Sequence, residues 1–141
     1  TTKAALANAQ SQLAAETTVI SGTQVVTVDA VRDTPTGLTV HSGEVLIFNA
    51  SGTWCWGGGT DCSDANGTPG RPGGPGELPV DLDGARFGEL VGHVSNWMFP
   101  IGSNAQVTMV ADGSLSLLMN DRVGRRSDNR GSIVVTIKPA N

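Results

Sequence analysis

The sequence predicts an all-β fold, an antiparallel β-sandwich of jelly-roll type preceded by a short N-terminal helix. Short segments rich in Val, Ile, Leu and Thr recur from residue 17 onward, as expected for strands. Turn signals separate them, namely Ser42-Gly43, Asp83-Gly84 and Asp112-Gly113. Several short strands punctuated in this way are typical of a sandwich.

Five segments carry the strand pattern, and they are 23–31, 44–50, 105–110, 114–119 and 132–138. The second of these, with the sequence EVLIFNA, is apolar enough to predict a buried strand.

The helical stretch is Thr2 to Glu16, which is rich in Ala, Leu and Gln. Its apolar face is weak, so a frayed or loosely docked terminal helix is one interpretation. A linker helix from an upstream domain and a pairing segment in a homo-oligomer are the others. The predicted organisation is therefore a helix or linker over 1–16 and one sandwich domain over 17–141.

The length and net charge of the chain limit the classes to which the protein can belong. A chain of 141 residues is long enough for one domain with its own core. The net charge of −4 argues against a nucleic-acid partner, because phosphate neutralisation requires a basic surface. No apolar run reaches the length of a membrane span. The start at Thr1 rather than Met indicates a processed or excised product.

The two cysteines, Cys55 and Cys62, are separated by six residues, three of them glycine. A short flexible connection allows the two sulfurs to meet, which predicts a disulfide and an oxidising compartment. A metal-binding or redox pair is the alternative, although the spacing matches neither CxxC nor a zinc pattern. The expected localisation is secreted, extracellular or periplasmic.

A long segment rich in Gly and Pro extends from Gly57 to Gly76 and contains almost no strand formers. A loop of that length in a compact domain is usually either functional or disordered.

The segment 120–131 joins the strand 114–119 to the final strand and carries three oxygen-bearing side chains, Asp121, Asp128 and Asn129. Carboxylate and amide oxygens are the ligands that calcium prefers. Gly124 and Gly131 allow the chain to turn so that backbone carbonyls can point inward. The alternative is that these residues form side-chain-to-backbone turns.

This segment, with the following Ser-Ile-Val-Val-Thr-Ile, resembles the bacterial galactophilic lectins, the LecA-like or PA-I lectin family. Those proteins carry Asn-Asp…Asn-Asn-Ser-Gly before their last strand, at the same internal spacing. The resemblance spans roughly Pro35 to Lys138. It continues in four further stretches, 42–47, 50–57, 86–92 and 99–102.

The resemblance implies one calcium ion and a sugar that places two adjacent ring hydroxyls on it. By position, the implied calcium ligands are the carbonyls of Trp56 and Arg125 and the side chains of Asp121, Asp128 and Asn129. The same three side chains would accept further hydrogen bonds from the sugar, which is galactose or a related sugar in this family.

Two departures from the family concern the sugar. The family's His-Pro-Asp-Gln stretch falls on 75–78, which lacks both the His and the Gln, so Arg71 and Glu77 are the candidates for a second sugar contact. Arg122 and Arg125 replace small or apolar residues. Arginine beside a metal can select an anionic sugar such as a uronate. The other interpretation is that both arginines balance the acidic site or are solvated.

Trp54 and Trp56 are two apart in a predicted strand and therefore share one face, which favours core packing. If the strand ends before Trp56, its ring is free to stack on a sugar. Asp61, Asp64 and Asn66 form a second calcium candidate, although a plain turn is favoured because the downstream Glu of an EF-hand loop is missing.

Catalysis finds little support in the sequence. His41 and His93 lie in unrelated contexts and no GxSxG motif occurs. A glycosidase needs two neighbouring carboxylates, for which Glu44, Glu77 and Glu89 are the candidates. Nothing places two of them together, because Glu44 opens one predicted strand and Glu89 lies within another. We therefore expect a non-enzymatic, calcium-dependent carbohydrate-binding module. The alternative is a calcium-stabilised structural or interaction domain, or an accessory domain, of a larger secreted protein or enzyme.

Overall fold

The computed structural model describes residues 22–56, 61–68, 86–120 and 129–140, and these residues form two antiparallel β-sheets. The first sheet has the order β1-β9-β3-β4, and β7 also pairs with β3. Its strands are β1 (Gln24–Asp29), β3 (Val45–Trp56), β4 (Asp61–Ser63), β7 (Asn104–Thr108) and β9 (Arg130–Pro139). The second sheet has the order β2-β8-β5-β6. Its strands are β2 (Thr34–Val40), β5 (Leu90–Val94), β6 (Trp97–Pro100) and β8 (Gly113–Met119).

This arrangement confirms the predicted all-β class and the antiparallel sandwich. The described ranges contain no helix, and hence none of the length and apolarity that a membrane span requires. The helix predicted over 1–16 lies outside the described residues.

The core lies between the two sheets and follows the two-residue repeat of strands. On β9, Ile133, Val135 and Ile137 are buried, whereas Val134 between them is 41% exposed. The largest fully buried side chains, all below 2% exposure, include Trp54, Phe48, Leu46, Leu90, Met109, Leu115 and Leu117.

The five predicted strands all occur, but β3 extends six residues beyond the predicted end at Ala50, to Trp56. The sequence patterns do not predict β2, β4 or β6. The β2 segment contains Pro35 and Gly37, which disfavour a strand. They are accommodated because β2 is an edge strand with a bulge between Pro35 and Thr39.

The prediction that residues 57–76 form a loop is wrong in one part, because Asp61–Ser63 forms β4 and pairs with the end of β3. Strand pairing here depends on the partner strand and the disulfide rather than on local strand propensity. Asn66 then forms an isolated bridge with Glu89. Glu89, predicted to lie within a strand, lies just before β5. Residues 57–60 and 69–76 lie outside the described ranges.

Candidate functional site

The carboxyl end of β3 is held on both sides. Cys55 and Cys62 are directly opposite in the β3–β4 register and form the predicted disulfide. On the other side, Cys55 is opposite Arg130 of β9. A short cross-linked hairpin therefore anchors the strand end that leads to Trp56.

Both tryptophans of β3 face the core. Trp54 is fully buried, and its Nε1 donates to the Gly88 carbonyl at 2.8 Å. Trp56 is 7% exposed, its Nε1 donates to Thr68 Oγ1 at 2.9 Å, and its ring lies 4.2 Å from that of Phe87. The predicted core packing is confirmed. The alternative of a Trp56 ring free to stack on a sugar is wrong, because β3 continues through Trp56.

The turn at 86–89 packs against this tryptophan face. A Cβ added to Gly88 would lie 3.1 Å from Trp56 Cδ1, and the φ of Gly88 is +83°, so both the close approach and the backbone favour glycine. Glu89 closes the turn by accepting a hydrogen bond from the Arg86 backbone N–H at 2.9 Å. Burial raises the pKa of Glu89, and the Arg86 hydrogen bond and charge oppose that shift only in part.

Asn129 lies just before β9 and is 6% exposed. Its Nδ2 donates to the Ala30 carbonyl at 3.1 Å and contacts Met119 Sδ at 3.3 Å. Because both contacts involve the amide nitrogen, the orientation of the amide is set. Its Oδ1 is buried and has no hydrogen-bond partner in the described part of the chain.

The pairing of β3 with β9 places Asn129 and Trp56 at the same end of the first sheet. Trp54 pairs with Gly131 and Cys55 with Arg130, so Trp56 and Asn129 are the next residues along the two chains after the last pair of this ladder. These are the two members of the implied calcium-ligand set that lie within the described residues. They are 73 positions apart in sequence, and both lie at one end of the first sheet.

A buried oxygen that accepts no hydrogen bond lowers the free energy of unfolding by about 1–3 kcal/mol when nothing binds it. An amide oxygen is also a ligand that calcium accepts readily. Asn129 Oδ1 therefore fits the calcium ion that the resemblance implies. Asn120 is the second buried residue of this kind, since it is fully buried and its Oδ1 also lacks a partner among the described residues.

The other predicted site residues are not among those described. Asp121, Arg122, Arg125 and Asp128 lie outside the described ranges, and so do Arg71 and Glu77. Within those ranges, no three His, Cys, Asp or Glu side chains form a group that could hold a metal ion.

Asp64 and Asn66, two members of the second calcium candidate, form a turn, as the favoured interpretation predicted, whereas Asp61 lies in β4. Asp64 Oδ1 accepts from the Asn66 backbone N–H at 2.8 Å. Asn66 Oδ1 in turn accepts from the Ser103 backbone N–H at 2.8 Å. Both side chains accept hydrogen bonds from backbone N–H groups, as Asx residues commonly do in turns.

Of the residues considered for catalysis, His41 and Glu44 share one turn, whereas His93 and Glu89 have other local partners. His93 Nε2 is 3.4 Å from Asp33 Oδ2, and His41 Nδ1 is 4.0 Å from Asp112 Oδ1. Glu44 accepts from the His41 backbone N–H at 2.6 Å and so closes the turn before β3. The Glu89 carboxylate closes the 86–89 turn described above, and Glu77 lies outside the described residues.

Sequence reasoning missed the residues that support the site. Thr68, Phe87 and Gly88 contact the two tryptophans, and no motif marks them for that role. Asn120 occurs in the motif that carries the family resemblance, but the sequence assigned no role to its side chain. Its burial depends on the approach of the 86–89 turn, 34 residues earlier in the chain.

The two packed sheets and the buried amide at the end of β9 define a β-sandwich domain with a candidate cation site at one edge. Among solved structures, the chain is similar to the N-terminal domain of EclA, which is described as a PllA-like lectin. The two share 23% sequence identity with a TM-score of 0.63, and the match covers 82% of this chain and 95% of that chain. At this identity the likeness shows a shared fold. No family model and no curated protein matches the chain.

Proposed function

We propose that the protein is a calcium-dependent carbohydrate-binding module, a lectin for galactose or a related sugar. The observation that carries the proposal is Asn129 Oδ1, a buried oxygen with no partner among the described residues, at a position where the family resemblance implies a calcium ligand. The shared fold with a lectin domain supports the proposal independently.

The proposed calcium ligands are the carbonyls of Trp56 and Arg125 and the side chains of Asp121, Asp128 and Asn129. Bound calcium offers exchangeable coordination positions that two adjacent sugar hydroxyls can occupy in place of water. Two of the proposed ligand residues, Trp56 and Asn129, lie among the described residues. Ala30 and Met119 orient the Asn129 amide, and Thr68 and Phe87 pack Trp56.

The sugar contacts are assigned by the same resemblance. Asp121, Asp128 and Asn129 accept hydrogen bonds from the sugar hydroxyls on the ion. Arg122 and Arg125, together with Arg71 and Glu77, are the candidates for contacts beyond it. The Cys55–Cys62 disulfide is compatible with an oxidising compartment, so we place the module outside the cytoplasm.

A calcium-stabilised structural domain is the second candidate function. The 6% exposure of Asn129 favours it, because an ion enclosed by protein ligands would join strands without binding sugar. The two functions differ in whether a sugar can reach the ion.

The test is glycan-array binding with calcium and with chelator, using the wild type, Asp121→Ala and Asp112→Ala. Asp112→Ala is the matched control, because it removes one carboxylate at the opposite end of β8 from residue 121. The proposal expects binding that chelator and Asp121→Ala abolish and that Asp112→Ala retains. Melting temperatures that rise with calcium, without binding to any glycan, would instead establish the structural domain.

A further inference from the structure

The outer edge of β1 has no partner strand among the described residues, because β1 is the terminal strand of the first sheet. Its six residues pair with β9 in a regular ladder without a bulge. From Gln24 to Val28 the strand contains no charged residue and no proline. Proteins commonly protect an exposed edge with such residues or with a bulge, because the unpaired backbone groups of an edge can bind another strand.

The other edge strands of the described part of the chain are short, interrupted or polar. β2 contains Pro35, Gly37 and a bulge. β6 has four residues and ends at Pro100, and β4 has three residues. β7 has five residues and carries the exposed polar side chains of Asn104 and Gln106. β1 is therefore the edge that is best suited to bind a further strand.

Two hydrogen bonds at the end of β1 show which of its backbone groups face outward. The Ala30 N–H donates to the Gly131 carbonyl at 3.2 Å, so it is directed at the chain of β9. The Asp29 N–H instead donates to Thr34 Oγ1 at 3.3 Å, which belongs to β2. Alternate residues of an antiparallel strand bond to the same neighbour, so the odd-numbered residues of β1 direct their N–H and C=O groups away from β9.

The outward-directed residues within the strand are Val25 and Thr27. No described residue pairs with their N–H and C=O groups. Both side chains are exposed on the outer face of the sheet, and that of Val25 is 64% exposed. Val134 of β9, which is opposite Thr27 in the register, is also exposed. The free edge thus lies beside a surface of β-branched side chains that suits pairing with a similar strand.

We propose that β1 pairs antiparallel with β1 of a second copy of this chain, about a twofold axis at Val26. The first sheets of the two copies then form one continuous sheet. The interface is isologous, since both copies contribute the same strand. It includes neither Trp56 nor Asn129, and it does not rest on the proposed calcium function.

This register is compatible with the charges and the backbone of the edge. Val25 lies opposite Thr27 of the second copy, and each of the two such pairs exchanges two backbone hydrogen bonds. Asp29, the ionisable residue of β1, falls opposite Thr23 of the second copy, so no like charges face each other. The outward groups of both strands are thereby paired.

The test is sedimentation velocity of the full chain over a series of protein concentrations in the presence of chelator. The wild type should form a dimer as the concentration rises. In Val25→Lys/Thr27→Lys, lysine faces lysine at both pairs, which should weaken the dimer about tenfold or more. In Val25→Glu/Thr27→Lys, opposite charges face each other at the same pairs, so the dimer should be retained.

The matched control is Asn104→Lys/Gln106→Lys, which adds the same two charges to exposed side chains of β7, an edge strand of the same sheet. It should dimerise as the wild type does. All three variants change exposed side chains, so they should melt near the wild type at concentrations where the protein is monomeric. Amide hydrogen exchange gives a local measurement, because the Val25 and Thr27 N–H groups should exchange more slowly in the dimer than in the monomer.

Three results would overturn the proposal. The first is a wild type that stays monomeric at every concentration, including a monomer in which the Val25 and Thr27 amides are already protected because another segment of the chain covers the edge. The second is a dimer that Val25→Lys/Thr27→Lys retains, since it would lie on another surface. The third is a Val25→Glu/Thr27→Lys protein that dimerises no better than the variant with two lysines, since it would exclude the register.

Discussion

At the scale of single residues, the informative features are polar groups whose burial is not matched by hydrogen bonds. Asn120 and Asn129 each use their amide nitrogen on a backbone carbonyl and leave their oxygen unpaired within the described residues. Buried polar atoms in native proteins are nearly always paired, so each unpaired one needs a physical explanation, and a bound ion is one of them. Glu89 shows the related case of a carboxylate whose burial is only partly offset by its partner.

Glu89 gives a prediction for the pH dependence of stability. Its pKa in the folded protein is raised above the ordinary value of 4.5, so the folded state holds this proton more tightly than the unfolded chain does. The contribution of Glu89 to the free energy of unfolding is therefore largest below pH 4.5 and falls as the pH rises through the raised pKa. Glu89→Gln, which keeps an acceptor for the Arg86 N–H, should gain stability over the wild type as the pH rises from 4 to 7.

Urea unfolding across that pH range measures the difference between the two proteins. Glu44→Gln is the matched control, because Glu44 also closes a turn by accepting a backbone N–H. A difference between Glu89→Gln and the wild type that does not change with pH would show that burial does not control this carboxyl group.

At the scale of elements, the end of β3 is the structure on which the site depends. β4, β9 and the 86–89 turn all contact it, and the disulfide links it to β4. Each contact brings a residue from a different part of the chain. The end of β3 therefore brings separate segments of the chain together at one end of the first sheet, where Trp56 and Asn129 both lie.

The disulfide should stabilise this hairpin by reducing the number of conformations open to the unfolded chain. Its cysteines are seven positions apart, a short ring, for which the chain-entropy relation gives about 2–3 kcal/mol. The double variant Cys55→Ser/Cys62→Ser should lose about that much free energy of unfolding in denaturant titration. The wild type measured with a thiol reductant should match the variant, and a loss below about 0.5 kcal/mol would contradict the entropic account.

Gly131 is the position of β9 where a side chain should cost most. Its φ is +91°, and an added Cβ would lie 2.9 Å from both the Thr53 carbonyl oxygen and the Trp54 Cα. Backbone atoms cannot move aside cheaply, so Gly131→Ala should lose about 3 kcal/mol of stability. Gly37→Ala is the control, because Gly37 has a similar φ of +82° with nothing within 4 Å of the added Cβ. The control should lose only about 1 kcal/mol, from backbone strain alone. Equal losses in thermal unfolding would show that the contact with β3 is not the cause.

At the scale of the whole molecule, the proposed cation site lies at a position where ion binding would be coupled to folding. Asn129 belongs to the start of β9, which pairs with both β1 and β3. An ion bound only by the folded protein stabilises it in proportion to the logarithm of its concentration. Ion binding at the proposed site should thus raise the free energy of unfolding of the entire domain.

The expected increase in the free energy of unfolding is about 2.7 kcal/mol at a calcium concentration of one hundred times the dissociation constant. Calorimetric melting in calcium, compared with chelator at equal ionic strength, measures it. Asn129→Leu should remove the increase, and Asp112→Ala should retain it. A melting temperature that is independent of calcium in the wild type would exclude a calcium ligand role for Asn129.

The sequence by itself determined the fold class, five of the strands, the disulfide and the direction in which the two tryptophans of β3 face. These are local properties, since strand periodicity and the spacing of two cysteines depend only on neighbouring residues. The extension of β3, the pairing of β4 and the strand β2 depend on partner strands that a local pattern does not contain. The tertiary structure alone decided that Trp56 and Asn129 lie at the same end of the first sheet, and that Asn120 and Asn129 are buried with oxygens unpaired in the described part of the chain. Burial and pairing are set by residues distant in the chain, because the same Asn side chain is satisfied by water wherever the fold leaves it exposed.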